Sequence, residues 1–153
     1  MSLMHLEDFS PGQTFDLGSI HVTHEQVVDF AQQFDPQPFH IDIDAGGQSI
    51  FGGLIASGWH TCSLMMRLVV DNLFSRTATL GSPGVNQIRW MLPVRPGDTL
   101  NASTRVLAVT SSVSKPDRGT VEFHYEVRNQ NDEQVLAMQG ISMFRRREGQ
   151  AAA

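Results

Sequence analysis

The first clear pattern along the chain is a helical spacing of apolar side chains within residues 23–34. Thr23 and Gln26 stand three residues apart, the arrangement of a capping box, so a helix is predicted to begin there. Pro36 disfavours helical backbone at Asp35, and the helix is predicted to end at that point. The apolar face of this helix comprises Val27, Val28, Ala31 and Phe34.

A second helical pattern covers residues 57–74. Its apolar residues are Trp59, Cys62, Leu64, Met65, Met66, Leu68, Val69, Val70 and Leu73. The polar stripe that remains is narrow and comprises His60, Ser63, Arg67 and Asp71. A helix that is apolar on most sides is predicted to be surrounded by the rest of the fold.

Alternation of apolar and polar residues predicts strands in most of the remaining chain. Residues 120–128, TVEFHYEVR, alternate strictly, and residues 129–134, NQNDEQ, carry the residue types of a hairpin turn. Residues 93–100, PVRPGDTL, separate two further strands, and residues 13–22 predict a short first strand. Between the helices, residues 42–58 are rich in glycine and predict a short helical turn followed by a loop.

Segregation of helices from strands predicts the α+β class. One antiparallel sheet wrapped around one long helix is the hot-dog architecture. We expect a single domain over residues 1–153, with an ordered core over about residues 10–146. The last residues, GQAAA, are predicted to be a frayed tail. Exposed sheet edges invite pairing, so a homodimer or a dimer of dimers is expected.

Composition narrows the classes of function. The chain has 153 residues, with 41% apolar and 18% charged residues, and a net charge of 11 − 16 = −5. An acidic excess argues against nucleic acid as a partner. The single cysteine, Cys62, excludes an internal disulfide and a multi-cysteine zinc site, and it fits a cytoplasmic location. No signal-peptide pattern or membrane-spanning apolar segment is seen, so no membrane partner is expected.

Two titratable groups bracket two prolines in residues 34–40, FDPQPFH. Each proline fixes its own φ, which restricts how Asp35 and His40 move relative to each other. A restricted pair is what a preorganised site needs. In an arbitrary chain, an Asp at this position more often marks a turn after a helix, and a His more often is a surface or core histidine.

Glycines mark the beginning of the long helix in residues 51–58, FGGLIASG. The first backbone N–H groups of a helix have no internal partner, and together with the helix dipole they favour negative charge. Gly58 has no side chain to block the approach of a carbonyl oxygen. An acid, an imidazole and such a donor are the parts needed to add water beside a thioester carbonyl.

At these residues the chain resembles the MaoC-like dehydratases, or (R)-specific enoyl-CoA hydratases, which have the hot-dog fold. Their signature is Asp, any residue, Asn, Pro, any residue, His, and residues 35–40 here read DPQPFH. The family also places a glycine at the start of the central helix, 18 residues after the His, where Gly58 stands. Residues 89–100, RWMLPVRPGDTL, are typical of the family's strand break, and the resemblance covers about residues 10–146. Two positions depart from the pattern: the Asn is Gln37, and the His that often precedes the glycine is Ser57.

The resemblance implies syn addition of water to a trans-2-enoyl-CoA, or the reverse reaction. Asp35 is then the leading general base, His40 orients the water and shares the proton transfer, and the Gly58 N–H binds the thioester oxygen. No metal or separate cofactor is implied, because coenzyme A enters as part of the substrate. The expected substrate-binding residues are Phe39, Phe51, Gly53, Ser57 and Trp59. For Phe51 and Trp59, lining an acyl pocket and packing in the core remain equally open.

Two other functions remain open. A hot-dog thioesterase commonly uses an acid on the central helix, and Asp71, the single acid in residues 57–74, lies about four turns from the helix start. A non-catalytic acyl-CoA-binding module on the same scaffold is the second alternative. The histidines lack compact metal-ligand spacing, and residues 145–147 are interpreted as a solvated strand end rather than a phosphate site. The acyl group of the substrate does not follow from the sequence.

Overall fold

Five antiparallel strands form one sheet that packs against a long helix in the computed structural model of the protein. The structure describes residues 2–148, and the predicted frayed segment GQAAA lies outside the described residues. Two short 3-10 turns, Leu6–Asp8 and Phe74–Arg76, accompany the main elements. Those elements are β1 Thr14–His21, α1 His24–Phe34, α2 Pro38–Ile41, α3 Ile43–Gln48, α4 Gly58–Asn72, β2 Gly84–Trp90, β3 Thr99–Ser111, β4 Arg118–Arg128 and β5 Gln134–Arg145.

The strand order in the sheet is β1-β3-β4-β5-β2, so β1 and β2 form its edges. All neighbouring strands pair antiparallel. The predicted alternation in β4 is confirmed, because one set of its side chains is buried in the core against α4: Val121, Phe123, Tyr125 and Val127. The α+β prediction is therefore confirmed.

Helix α1 begins and ends where the sequence predicts. The Gln26 N–H donates to the Thr23 hydroxyl at 3.2 Å, and the Thr23 N–H donates to the Gln26 side chain at 3.1 Å. These two bonds form the predicted capping box. The last helical residue is Phe34, and Asp35 caps the helix with non-helical backbone at φ −155° and ψ 66°, in keeping with the proline that follows it.

Two short helices connect α1 to α4. The predicted helical turn is α3, whereas α2 was not predicted; it begins at Pro38, where a proline's fixed φ suits the first helical position. Two backbone hydrogen bonds hold the segment before α4, and in the first the Ile55 N–H donates to the Phe39 carbonyl at 3.1 Å. The Ala56 N–H donates to the Val94 carbonyl at 2.8 Å. These two bonds hold the approach to α4 between α2 and the segment that follows β2.

Helix α4 is buried on one side only. Met65, Leu68 and Val69 pack in the core cluster. A stripe on the same helix stays exposed, at 57% for Trp59, 43% for Met66 and 41% for Val70. The prediction that the helix is surrounded on most sides is therefore wrong for the single chain, because one sheet covers only the face that it touches. Within residues 2–148, no helix has the length and apolar character needed to cross a membrane.

Candidate active site

The site is built around the contact between Asp35 and His40. Asp35 follows α1 directly, and His40 lies in α2, which begins three residues after Asp35. This short path brings His40 Nε2 to 3.2 Å from Asp35 Oδ2. The structure therefore brings together the two titratable side chains that the sequence singled out.

A backbone carbonyl fixes the orientation of the His40 ring. His40 Nδ1 lies 2.7 Å from the Ile55 carbonyl oxygen, and the residue is 4% exposed. A carbonyl oxygen only accepts hydrogen bonds, so Nδ1 carries a hydrogen and donates it. Nε2 is consequently the nitrogen that faces Asp35 and takes part in any proton transfer.

The carboxylate of Asp35 is held on both oxygens. The Gln37 amide donates to Oδ1 at 2.7 Å, and the Ser57 hydroxyl donates to Oδ2 at 2.7 Å. Partial burial raises the pKa of Asp35, but the hydrogen bonds from Ser57 and Gln37 and the nearby His40 outweigh it and hold the pKa below its usual range. Asp35 is therefore ionised at neutral pH, the state that a general base needs.

The two positions that depart from the family pattern, Gln37 and Ser57, both donate hydrogen bonds to this carboxylate. Ser57 is fully buried, and its hydroxyl points to Asp35 and not into the cavity beside the pair. Gln37 contacts the other carboxylate oxygen. Ser57 was predicted to bind substrate, because nothing local in the sequence reveals its contact with Asp35 across 22 residues. No role was predicted for Gln37, although it lies only two residues from Asp35.

A cavity of about 400 Å³ lies beside the pair. Its wall includes Asp35, His40 and Gly58. The predicted residue Gly53 lies outside this wall; its Cα faces Arg95, whose Nη1 would lie 3.0 Å from a β carbon added at position 53. The apolar part of the wall consists mainly of Phe39, Phe51, Ile55, Trp59, Trp90, Met91, Leu92, Pro93 and Val94.

Phe51 and Trp59 both line the cavity and pack on other aromatic rings. The Phe51 ring lies 5.4 Å from the Phe39 ring, and Trp59 makes an edge contact with Trp90 at 5.2 Å. Trp59 is more than half exposed, so it is not a core residue of the single chain. Both therefore contribute surface that an apolar ligand can contact.

Gly58 is the first residue of α4 and belongs to the cavity wall. Its N–H has no acceptor within residues 2–148, as expected at a first helical position. The start of α4 thus offers an unused donor close to Asp35 and His40.

The sequence analysis missed the wall formed by residues 90–94. The signal was present in RWMLPVRPGDTL, but it was interpreted only as a strand break. Trp90 ends β2, and its indole Nε1 donates to the Gly58 carbonyl at 2.9 Å. The segment that leaves the edge strand therefore covers the start of α4.

The remaining candidates lie elsewhere. Asp71 forms an exposed ion pair with Arg67 at 2.7 Å and has no contact with the cavity. Just after β5, Arg147 pairs with Asp8 at 2.6 Å and Arg146 lies 3.5 Å from Glu7, so both arginines contact acids of the first 3-10 turn. In the part of the chain that the structure describes, no three His, Cys, Asp or Glu side chains cluster as metal ligands do.

Comparison with known proteins shows the family. The profile of the family described as "MaoC like domain" matches residues 8–131. The chain belongs to the MaoC-like dehydratase family. Its sheet and central helix form the hot-dog fold, as the sequence predicted.

Three relatives of this MaoC-like chain illustrate the range of similarity. The crystal structure of a MaoC-like dehydratase from Rhodospirillum rubrum is 41% identical, with a TM-score of 0.87 over 94% of this chain and 98% of that chain. The uncharacterised protein YdeM of Bacillus subtilis (strain 168) is 32% identical over 104 residues, which is 68% of this chain and 74% of that protein. An R-hydratase from Pseudomonas aeruginosa is 19% identical, with a TM-score of 0.73 over 99% of this chain and 95% of that chain, and it shares the fold.

Proposed function

We propose that the protein adds water reversibly to a trans-2-enoyl-CoA and produces a 3-hydroxyacyl-CoA. The observation that carries the proposal is the Asp35–His40 pair in the wall of an apolar cavity that also holds the start of α4. An apolar cavity with a few convergent polar groups suits an acyl thioester. The relationship to an R-hydratase with the same fold supports this class of reaction.

The geometry suggests a role for each group. A water bound between Asp35 and His40 Nε2 loses a proton to the carboxylate while its oxygen bonds to C3 of the enoyl group. The electrons of the C2–C3 double bond move toward the thioester oxygen, which gains negative charge and accepts a hydrogen bond from the Gly58 N–H. The same proton then returns to C2 on the same face, which completes a syn addition. The cavity positions the acyl chain, and coenzyme A extends outward.

A spectroscopic assay tests the reaction class. Hydration removes the double bond conjugated to the thioester, so absorbance of crotonyl-CoA is expected to fall on adding the protein, with no release of free thiol. A thioesterase would release thiol, and a binding module would change neither signal. Either of those results would contradict the proposed function.

The same assay with other acyl groups tests which substrate class the protein accepts. Hydration rates over a panel of enoyl-CoAs of graded length and branching report how much of the cavity the acyl chain fills. We propose acyl-CoA as the partner and the cytoplasm as the location. No nucleic-acid, membrane or metal partner is part of the proposal.

We propose that the protein functions as a homodimer or a dimer of dimers. The exposed apolar stripe of α4 and the unpaired edge of β2 support this, because large exposed apolar surfaces mark association sites. Light scattering at micromolar concentration is expected to show at least a dimer. Val70→Glu on the stripe is expected to weaken the dimer. Val113→Glu is expected to leave the dimer intact, because Val113 is a fully exposed valine in the turn between β3 and β4. An active wild-type monomer would contradict the proposal.

Removing the Ser57 hydroxyl is expected to shift the pH dependence of activity. The bond from Ser57 lowers the pKa of Asp35, so Ser57→Ala raises that pKa. Asp35 acts as a base only when ionised, and therefore the acidic limb of the kcat/KM profile moves to higher pH. The stability that the ionised Asp35 contributes is lost as pH falls through its folded-state pKa, and the variant loses it at higher pH.

The control for this prediction is Ser63→Ala. The Ser63 hydroxyl donates to the Trp59 carbonyl within α4 at 2.8 Å and does not contact Asp35. Its removal is expected to leave the acidic limb in place. An unchanged profile for Ser57→Ala would show that the hydroxyl does not set the basicity of the carboxylate.

A further inference from the structure

The indole of Trp90 occupies the space where a side chain at position 58 would stand. A β carbon added at Gly58 would lie 2.5 Å from Trp90 Cε2 and 2.6 Å from Nε1. Side-chain atoms essentially never approach this closely, so the indole and a side chain at position 58 exclude each other. The same ring donates its N–H to the Gly58 carbonyl at 2.9 Å.

Trp90 connects the edge of the sheet to the first turn of α4. Its backbone is held by β2, where it pairs with Leu136 of β5, and the next residue, Met91, donates to the Val135 carbonyl at 2.9 Å. The indole therefore connects the edge strand to the first residue of α4.

Trp90 also belongs to the cavity. It lines the wall together with Gly58 and Trp59, and its ring makes an edge contact with Trp59. A residue that touches both the helix start and the cavity can fix where the Gly58 N–H lies relative to a bound ligand.

We propose that Trp90 is a positioning residue for the hydration reaction and that position 58 is glycine in order to admit its indole. This proposal rests on the proposed function. By holding the first turn of α4, Trp90 sets the direction of the Gly58 N–H toward the thioester oxygen. The competing explanation is the one expected from the sequence, that the glycine leaves room for the substrate itself. The two explanations differ in whether the cost of a side chain at position 58 depends on Trp90.

The test is a double-variant cycle with Gly58→Ala and Trp90→Leu, measured with crotonyl-CoA. Gly58→Ala displaces the indole and is expected to lower kcat about tenfold to a hundredfold with little change in KM, because a small misplacement of a reacting group has effects of this order. In the Trp90→Leu background the same substitution is expected to change kcat by no more than about twofold. Trp90→Phe, which keeps a ring but loses the N–H donor, is expected to restore part of the kcat lost in Trp90→Leu.

Trp59→Leu provides the matched control. Trp59 is the other tryptophan of the pair and lines the same cavity, but the indole that donates to the Gly58 carbonyl is that of Trp90. In the Trp59→Leu background, Gly58→Ala is expected to keep its full effect on kcat. An equal loss of kcat from Gly58→Ala with and without Trp90 would overturn the proposal and favour the competing explanation.

Melting temperatures of the same variants separate this proposal from the proposed function. Gly58→Ala is expected to lower Tm by about 2–10 °C in the wild-type background through overpacking. In the Trp90→Leu background it is expected to be neutral or slightly stabilising, because alanine favours helix. If the effect of Gly58→Ala on Tm depended on Trp90 while its effect on kcat did not, the positioning role would be overturned. If the wild-type protein hydrates no enoyl-CoA, the role in the reaction falls with the proposed function, while Tm still decides the packing.

Discussion

Asp35→Asn is expected to leave the fold intact and to lower kcat for enoyl-CoA hydration by about 10²–10⁴-fold. The amide has nearly the same size as the carboxylate, and it retains one oxygen that can accept from Gln37 or Ser57. It has no negative charge and cannot accept a proton from water at neutral pH. The loss of kcat therefore measures the contribution of Asp35 as a base and does not arise from altered packing.

The measurement combines kcat on crotonyl-CoA with a thermal melt. Asp71→Asn is the matched control, since Asp71 makes an exposed ion pair with Arg67 and lies outside the cavity. Its activity is expected to equal that of the wild type. A folded Asp35→Asn protein with activity within a few-fold of wild type would remove Asp35 from the mechanism.

His40→Ala is expected to lower kcat by a similar factor, about 10²–10⁴-fold, because the water loses the group that orients it and shares its proton. The substitution also leaves the Ile55 carbonyl without its hydrogen bond from Nδ1, which costs about 1–3 kcal/mol of stability. Assays well below the melting temperature separate the two effects. His124→Ala is the control, because His124 pairs with Glu126 on β4, away from the cavity.

The double variant with Asp35→Asn and His40→Ala is expected to be little worse than either single variant. Groups that act on one water as a unit show strongly non-additive losses. If the two losses multiplied, the residues would have independent roles and the paired arrangement seen at 3.2 Å would not be the functional unit.

Local chemistry in the sequence determined much of the fold. The Thr23–Gln26 capping box and Pro36 act on neighbouring backbone, so the bounds of α1 follow from the sequence. The alternation in residues 120–128 identified β4 for the same reason, since side chains in a strand point to opposite faces by backbone geometry. The pairing of Asp35 with His40 was also predictable, because only four residues, two of them prolines, separate them.

Only the tertiary structure decided what supports the pair and what covers the start of α4. Ser57 reaches Asp35 across 22 residues, and Trp90 reaches Gly58 across 32. Such contacts depend on how β2 and the segment before α4 pack, and no local propensity encodes that packing. Likewise, the apolar pattern of α4 did not distinguish residues covered by the sheet from those left exposed. A helix presents the same spacing of apolar residues whether its own chain or another surface covers them.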